Sequence, residues 1–192
     1  MENNFLDSNL KQFQYYKLLA DKSIAQLTEE QLNWQYNQQS NSIAIIIRHV
    51  SGNMLSRFTD FLTDDGEKSW RNRDAEFDPS FRQKDKLLKQ WEEGWKCLFE
   101  ALKELNGGDL DKIIYIRNQG HTVTEAINRQ LAHSAYHVGQ VVFITKMLVE
   151  NWQSLSIPAN ASGQFNADKF AKEKMRMHFT DDVLNKDPEN KQ

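Results

Sequence analysis

The chain has 192 residues, a formal net charge of −3 and a hydrophobic fraction of 39%, values that fit a single domain of amphipathic helices. Its charges are mixed in sign, which excludes the basic face that nucleic acid requires, and no segment reaches the roughly 18–20 apolar residues of a membrane span. Because the first residues lack the basic start and apolar block of a signal peptide, we expect a cytoplasmic protein that binds neither nucleic acid nor membrane. The single cysteine, Cys97, agrees with a reducing compartment and argues against thiol-redox chemistry.

Apolar residues spaced by three and four positions predict four long amphipathic helices. In chain order the predicted helices cover residues 6–27, 43–62, 79–105 and 122–149. The second has isoleucines nearly all round its first turns, which indicates a helix covered on two sides.

Capping residues predict where three helices begin. Asp78 and Pro79 form an N-cap and N1 pair for the third long helix. Thr122 and Glu125 form a capping box for the fourth. Asn166 is placed to cap a last, short helix.

The polar segments between the helices predict loops. Residues 63–80 are rich in charges and turn formers and predict a long loop, whereas residues 111–120 predict a brief extended segment. We therefore expect an all-α four-helix bundle with this long loop between its second and third helices and a short C-terminal helix. Residues 1–178 should form the one domain, followed by a polar, frayed tail over residues 179–192.

The stretch RQLAHSAYHVGQ places His133 and His137 four residues apart on the fourth helix. At about 100° per residue the two side chains project together toward an edge of the apolar stripe, with Cβ atoms roughly 5–6 Å apart. Both imidazoles can then reach one metal ion at about 2.1 Å. The alternative is that each histidine simply packs there and donates to a carbonyl. The neighbouring Tyr136 is predicted to point away from both.

A metal site needs a third ligand, and His49 in the middle of the second helix is the candidate. It lies roughly 130° from the main stripe of its helix, so it faces the interior only if that helix is covered on both faces. Asn53 and Gln130 lie one turn from the histidines, where an amide can bond bound water or a ligand nitrogen. His121 is separated from His133 by about 18 Å of helix rise, and we expect it to be a loop or capping residue.

The loop after the second helix carries Trp70, Arg71, Arg73 and Asp74. By composition it is a solvated, charged loop pinned by its tryptophan. As a functional element, its guanidinium groups can hold a carboxylate or thiol-bearing substrate over the metal. Both interpretations stay open at the level of the sequence.

A histidine on the second helix, followed by the spacing H-x-x-x-H on the fourth, resembles the DinB-like superfamily of metal-binding four-helix bundles. Three stretches are similar to one bacterial branch of it, a domain family of unknown function. They are SNSIAIIIRHVSGNMLSRFTDFLTDDGEKSWRNRDAEF, EAINRQLAHSAYHVGQVVF and, more loosely, SLSIPANASGQFN. The similarity extends over most of the chain from residue 40 to about residue 175.

The resemblance implies one divalent metal, often nickel or zinc, held by His49, His133 and His137, and commonly a homodimer. Better characterised members of the superfamily include S-transferases of the bacillithiol type and mycothiol-dependent maleylpyruvate isomerase, in which the metal is thought to activate the thiol of a low-molecular-weight cofactor. For this chain it implies a metal-dependent enzyme that activates a thiol or water for transfer to, or hydrolysis of, a small molecule. The alternative is a non-enzymatic stress-related or protein-interaction bundle whose metal is incidental. Neutral imidazole ligands predict metal binding that weakens on acidification through about pH 6.5.

Overall fold

The computed structural model describes residues 4–185 and consists mostly of helices. In chain order these are α1 (Asn4–Ile24), α2 (Glu29–Asn33), α3 (Ile43–Phe58), α4 (Arg73–Glu76), α5 (Lys84–Glu104), α6 (Val123–Leu148), α7 (Ser162–Phe170) and α8 (Asp181–Leu184). A 3₁₀ turn covers Gly107–Asp109, and the strands β1 (Ile113–Ile116) and β2 (Gln119–Thr122) form a small antiparallel hairpin. The expectation of an essentially all-α fold is confirmed, and the predicted extended segment is part of this hairpin. In the part of the chain described, no helix combines the length and apolar character needed to cross a membrane.

The four long helices pack against one another around a shared core. α3 contacts α5 and α6, and α1 contacts α6 and α5. The largest fully buried side chains include Trp91 and Trp95 on α5 and Phe13 on α1. α3 and α5 approach closely at Gly94, where an added Cβ would lie 2.8 Å from the Cα of Ser51.

Helix α3 is buried on nearly all sides, as its run of isoleucines predicts. The Ser42 hydroxyl caps its start by accepting a hydrogen bond from the backbone N–H of Ile45 at 3.2 Å. The helix ends at Phe58, before the predicted end, and Asp60 then adopts a left-handed backbone with φ of 50°. Because α4, α5 and α6 all contact α3, His49 is buried although it lies off the main apolar stripe.

The start of α5 differs from the prediction that Asp78 and Pro79 open this helix. The Asp78 carboxylate instead accepts hydrogen bonds from the backbone N–H and the hydroxyl of Ser80, which form a local turn. The helix begins at Lys84, whose backbone N–H donates to the Glu29 carboxylate at 2.6 Å. A long-range contact with α2 therefore accompanies the start of this helix, and a local capping signal could not reveal it.

The C-terminal segments also differ from their predictions. Asn166 lies inside α7 rather than at its cap, because the helix begins four residues earlier. Thr180 is buried, and Lys11 of α1 forms an ion pair with Asp181 at 2.7 Å. These contacts attach α8 to α1, where a frayed tail was expected; residues 186–192 lie outside the described residues.

The loop between α3 and α5 contains the one-turn helix α4, which the prediction of a plain loop missed. The side chain of Asn72 caps this helix by accepting a hydrogen bond from the backbone N–H of Ala75 at 3.1 Å. Its last residue, Glu76, is buried despite its charge. The loop therefore contributes an interior carboxylate, and that carboxylate lies beside His49.

Candidate metal centre

Three histidines converge between α3 and α6. The Nε2 atoms of His49 and His133 lie 3.2 Å apart, and the ring centroid of His137 lies 5.1 Å from that of His49. One ring nitrogen from each histidine lies within 4.8 Å of the other two. The structure thus brings the three candidate ligands to one place.

The geometry of α6 positions two of these side chains. In the capping box at its start, the Thr122 hydroxyl accepts from the Glu125 backbone N–H, and the Glu125 carboxylate accepts from the Thr122 backbone N–H. Residues four apart then lie on one face of the helix, and the ring centroids of His133 and His137 are 4.6 Å apart. His137 is buried and His133 is half-buried, so the pair forms a preorganised two-nitrogen unit.

The carboxylate of Glu76 fixes the orientation of the His49 ring through its Nδ1 atom. Oε2 of Glu76 lies 3.0 Å from Nδ1 of His49, and Arg71 holds both carboxylate oxygens, at 2.8 and 3.0 Å. Burial raises the pKa of the Glu76 carboxyl, but the hydrogen bonds from His49 and Arg71 and the charge of Arg71 outweigh burial and lower this pKa overall. Because an ionised carboxylate can only accept, Nδ1 of His49 donates in this hydrogen bond, and in the neutral imidazole Nε2 then presents the lone pair.

Gln140 holds His137 in the same way. Its Oε1 lies 2.8 Å from Nδ1 of His137, which assigns the proton to that nitrogen and leaves Nε2 as the free ring nitrogen. Histidines that bind metals usually donate their other N–H to such a partner, which fixes both the tautomer and the ring orientation. The Nδ1 atom of His133 is buried and has no hydrogen-bond partner in the described part of the chain.

The spacing of one pair of these nitrogens fits a divalent ion with imidazole ligands. Two nitrogens at about 2.0–2.1 Å from a tetrahedral ion lie roughly 3.3 Å apart. The 3.2 Å between the Nε2 atoms of His49 and His133 is close to that value. Catalytic zinc sites commonly have three protein ligands and leave one coordination position for water or substrate.

Burial keeps the two α6 histidines neutral. Burial is the largest cause, and together with the charges of the two neighbouring histidines, Arg71 and Arg129 it lowers the pKa of His133 to about 3. Burial also lowers the pKa of His137, against the raising effect of its hydrogen bond to Gln140. Neutral imidazole is the form that binds a metal, so these ligands are available at neutral pH and below it.

The two amides expected beside the histidines line a cavity next to them. Asn53 and Gln130 both lie on its wall, together with two of the histidines. The Oδ1 atom of Asn53 is buried without a hydrogen-bond partner among residues 4–185, and Gln130 bonds a serine hydroxyl one turn along α6 at 3.4 Å. Direct contacts with the ring nitrogens are made by Glu76 and Gln140 instead.

The sequence also predicts positions for Tyr136 and His121, which lie near the histidine pair in the sequence. The expectation that Tyr136 points away from both histidines is wrong for His137, because the two ring centroids lie 5.0 Å apart. Tyr136 is nevertheless 64% exposed. His121 lies on β2, outside the three-histidine cluster.

Of the four loop residues considered for substrate binding, two line the cavity. Arg71 and Arg73 lie on its wall, whereas Trp70 and Asp74 do not, and Trp70 is 58% exposed. Arg71 also acts on the side of the histidines, because it forms an ion pair with Glu76, which contacts His49. This loop is therefore partly a wall of the site and partly solvated.

Glu76 and Gln140 are the contacts that the sequence interpretation missed. Gln140 follows His137 by three residues, a spacing that places both on one helix face, so a signal for it was present. Glu76 contacts His49 across 27 positions from a helix of one turn. No periodicity or motif in the sequence indicates such a contact.

These features define a mostly helical protein with a three-histidine group suited to a divalent metal. The chain belongs to the family described as "Protein of unknown function (DUF1572)", whose sequence model matches residues 1–161. The match includes the three histidines, Glu76 and Gln140. No curated protein matches the chain. The function is therefore inferred from the site itself.

Proposed function

We propose that this chain is a divalent-metal-dependent enzyme of the DinB-like superfamily, a cytoplasmic four-helix bundle that holds nickel or zinc through His49, His133 and His137. The observation that carries the proposal is the 3.2 Å between the Nε2 atoms of His49 and His133, with the His137 ring centroid 4.6 Å from that of His133. The ion-paired carboxylate of Glu76 supports it, because such a partner raises the basicity of a ligand histidine. The mutual packing of α1, α3, α5 and α6 supports the bundle.

The reaction class follows from the chemistry that such a site offers. A divalent ion held by three imidazoles lowers the pKa of a thiol or of water and so supplies a nucleophile at neutral pH. The chain's own groups hold the ligands ready: Glu76 and Gln140 orient two of the imidazoles, and burial keeps His133 neutral. The adjoining cavity gives room for a second reactant. We therefore propose transfer of a low-molecular-weight thiol to an electrophilic small molecule, or hydrolysis of a small molecule.

A non-enzymatic interaction protein is the second candidate, and an exposed apolar groove favours it. Tyr36, Tyr136, Phe143 and Met147 line this groove and are 76%, 64%, 65% and 52% exposed. Exposed apolar patches often mark partner surfaces. The homodimer that the resemblance implies is one use of this groove, and sedimentation of the purified protein tests it.

The metal content of the purified protein tests the site. We expect one nickel or zinc ion per chain in the native protein and loss of that ion in His49→Ala and in His133→Ala. His121→Ala is the matched control, because His121 lies on β2 outside the cluster. Equal metal content in all four proteins contradicts the proposed site.

An activity screen tests the enzyme against the interaction module. Metal-loaded protein is assayed with bacillithiol, glutathione and coenzyme A against electrophiles, beside ester and amide hydrolysis. Turnover that is lost in His133→Ala and retained in His121→Ala supports the enzyme. A variant without all three histidines that still associates with its partner, while the native protein shows no turnover, supports the interaction candidate.

A further inference from the structure

A cavity of about 210 Å³ lies next to the three-histidine group, with His49 and His133 on its wall. Its other walls come from the end of α3, the start of α4, the turn of the hairpin and the first half of α6. Sites for drug-sized ligands span roughly 300–1,000 Å³. The molecule that fits this cavity is therefore smaller than those ligands, and it would lie beside the proposed metal site.

Five arginines line the cavity, and they come from separate places in the chain. They are Arg57, Arg71, Arg73, Arg117 and Arg129. Arg57 and Arg117 share one oxygen of Glu67, at 3.3 and 3.0 Å. Arg71 is ion-paired with Glu76. Two carboxylates thus form ion pairs with three of the five guanidinium groups.

The remaining two arginines have no carboxylate partner among residues 4–185. The guanidinium of Arg73 lies 5.0 Å from the centroid of the Phe77 ring, and Arg129 projects from the exposed side of α6. Burial lowers the pKa of Arg57, and although Glu67 raises it, two neighbouring arginines lower it again. Positive charge is therefore crowded at this cavity, and an anion would relieve the repulsion.

The arrangement differs from an ordinary solvated surface. The side chains of Arg57 and Arg71 are only 10% and 2% exposed. Arg117 adopts a left-handed backbone with φ of 56°, which is unfavourable for an arginine. Asp65 holds this turn by accepting the backbone N–H groups of Arg117 and Asn118. Arg117 and Asn118 are the two-residue turn that joins β1 to β2, and this turn places Arg117 on the cavity wall.

The same cavity has an apolar wall. Phe58, Phe61 and Ile116 form it, and all three are buried. The rings of Phe58 and Phe61 contact each other with centroids 4.9 Å apart. A ligand that covers this wall needs an apolar part besides its charged group.

We infer that this cavity binds a small organic anion whose carboxylate or phosphate contacts Arg73 and Arg129 and whose apolar part packs against Phe58 and Phe61. Guanidinium groups bind either oxyanion through paired, charge-assisted hydrogen bonds. The reacting end of the molecule then lies beside His49. The inference rests on the proposed function, since it names the substrate class of the same site.

Four aromatic probes test the preference for an anion: benzoate, phenyl phosphate, neutral benzamide and cationic benzamidine. Calorimetry measures their binding to metal-free protein at neutral pH and low ionic strength, where charge interactions are least screened, and then to metal-loaded protein. We expect at least one of the two anions to bind tenfold or more tighter than benzamide, and benzamidine not to bind. The tighter of the two anions identifies the charged group as carboxylate or phosphate.

Arg73→Gln and Arg129→Gln test the two residues, both of which are exposed and tolerate substitution without loss of a core contact. Each change should weaken anion binding several-fold, and the double variant should abolish it. Arg176→Gln is the matched control, because this arginine is exposed, bonds Asn4 and lies outside the cavity wall. Its anion binding should equal that of the native protein.

Three outcomes overturn the inference. They are equal affinity for anionic and neutral probes, no binding of either anion, and anion binding that survives in the double variant because the metal alone holds the anion. The two proposals can fail separately. Anion binding by a protein that takes up no nickel or zinc supports the inference and contradicts the proposed metal site, whereas metal uptake without anion preference does the reverse.

Discussion

His49 and Glu76 are joined by a contact of 3.0 Å between Nδ1 and Oε2, and this contact links α3 to the one-turn helix α4. Arg71 anchors the same carboxylate through both of its oxygens. The ring of His49 is therefore oriented by the fold itself. A ring nitrogen that is already oriented reduces the reorganisation that metal binding requires.

Replacing Glu76 by glutamine should weaken metal binding. Loss of the carboxylate removes the negative charge next to Nδ1 of His49, and the tautomer of this ring is then no longer fixed. Comparable changes at metal sites lower metal affinity by roughly 10–100-fold. Competition with a coloured chelator measures the affinity. Glu67→Gln is the control, because Glu67 also pairs with arginines of the cavity but bonds none of the histidines. Equal affinities of the two variants contradict the role of Glu76.

Gly52→Ala should disturb the same contact from the side of α3. A Cβ at Gly52 would lie 2.3 Å from Oε1 of Glu76, so the carboxylate must move away from its present position. We expect weaker metal binding and a loss of about 1–3 kcal/mol in the free energy of unfolding, the usual range for overpacking.

Gly139→Ala is the matched control for this substitution. Gly139 lies on α6 between His137 and Gln140, and a Cβ there meets nothing within 4 Å. Alanine favours a helix over glycine by about 0.5–1 kcal/mol, so this variant should be slightly more stable and bind metal normally. Normal metal binding by Gly52→Ala would show that displacement of the Glu76 carboxylate does not affect metal affinity.

Acid should destabilise the metal-free protein, starting below the ordinary pKa of histidine. Between pH 6.5 and 5 the unfolded chain gains a proton on His133, whereas the folded protein does not, because burial and the neighbouring histidines and arginines lower the pKa of this group to about 3. The unfolded state then binds more protons, so the free energy of unfolding falls as the pH falls, by at most about 1.4 kcal/mol per pH unit from this group. Denaturant titrations at pH 7 and pH 5 measure the effect. His133→Gln should show a smaller difference between the two, and an unchanged difference contradicts the assignment.

The same shift should extend metal binding to lower pH than free histidine allows. At ordinary imidazoles, protons compete with the metal ion near pH 6.5. This is the pH dependence of metal binding that the sequence alone predicts. The lowered pKa values of His133 and His137 move this competition to more acid solution. Affinity that falls between pH 7 and 6 as steeply as three ordinary imidazoles require would contradict the lowered pKa values of these two ligands.

Gly94→Ala should destabilise the fold without a direct effect on the ligands. The new Cβ would lie 2.8 Å from the backbone of Ser51, so α3 and α5 must separate. We expect a loss of about 1–3 kcal/mol on chemical denaturation. Gly163→Ala is the control, since a Cβ at that position of α7 meets nothing within 4 Å. Equal stability of both variants would show that the two helices can adjust.

The sequence predicts the long helices and the histidine pair because both depend on local spacing. Side chains at positions 133 and 137 must share a helix face, and Thr122 with Glu125 marks the start of that helix wherever it packs. Local spacing is not enough to predict that His49 is buried. It lies off the apolar stripe of its helix, so it is buried only because α3 is covered on several sides. Its convergence with the α6 pair is a property of packing.

Contacts between segments that are distant in the sequence explain where the sequence-based predictions are wrong. The start of α5 lies where Lys84 meets Glu29, and Asp181 of α8 meets Lys11 of α1. Glu76 is difficult to predict for a similar reason. It is a charged residue in a polar loop, and it becomes buried only through its contacts with distant partners. Composition alone assigns such a residue to solvent.

Arg71 belongs to both halves of the site, because it lines the cavity and also grips the carboxylate that holds His49. On the proposal that an anion is held by Arg73 and Arg129, its charge would also act on the nearby Arg71 and so on the carboxylate that contacts His49. If both proposals hold, binding in the cavity and binding at the three histidines would influence each other through Arg71 and Glu76. Thermodynamic reciprocity requires that the anion change the affinity for the ion by the same factor as the ion changes the affinity for the anion.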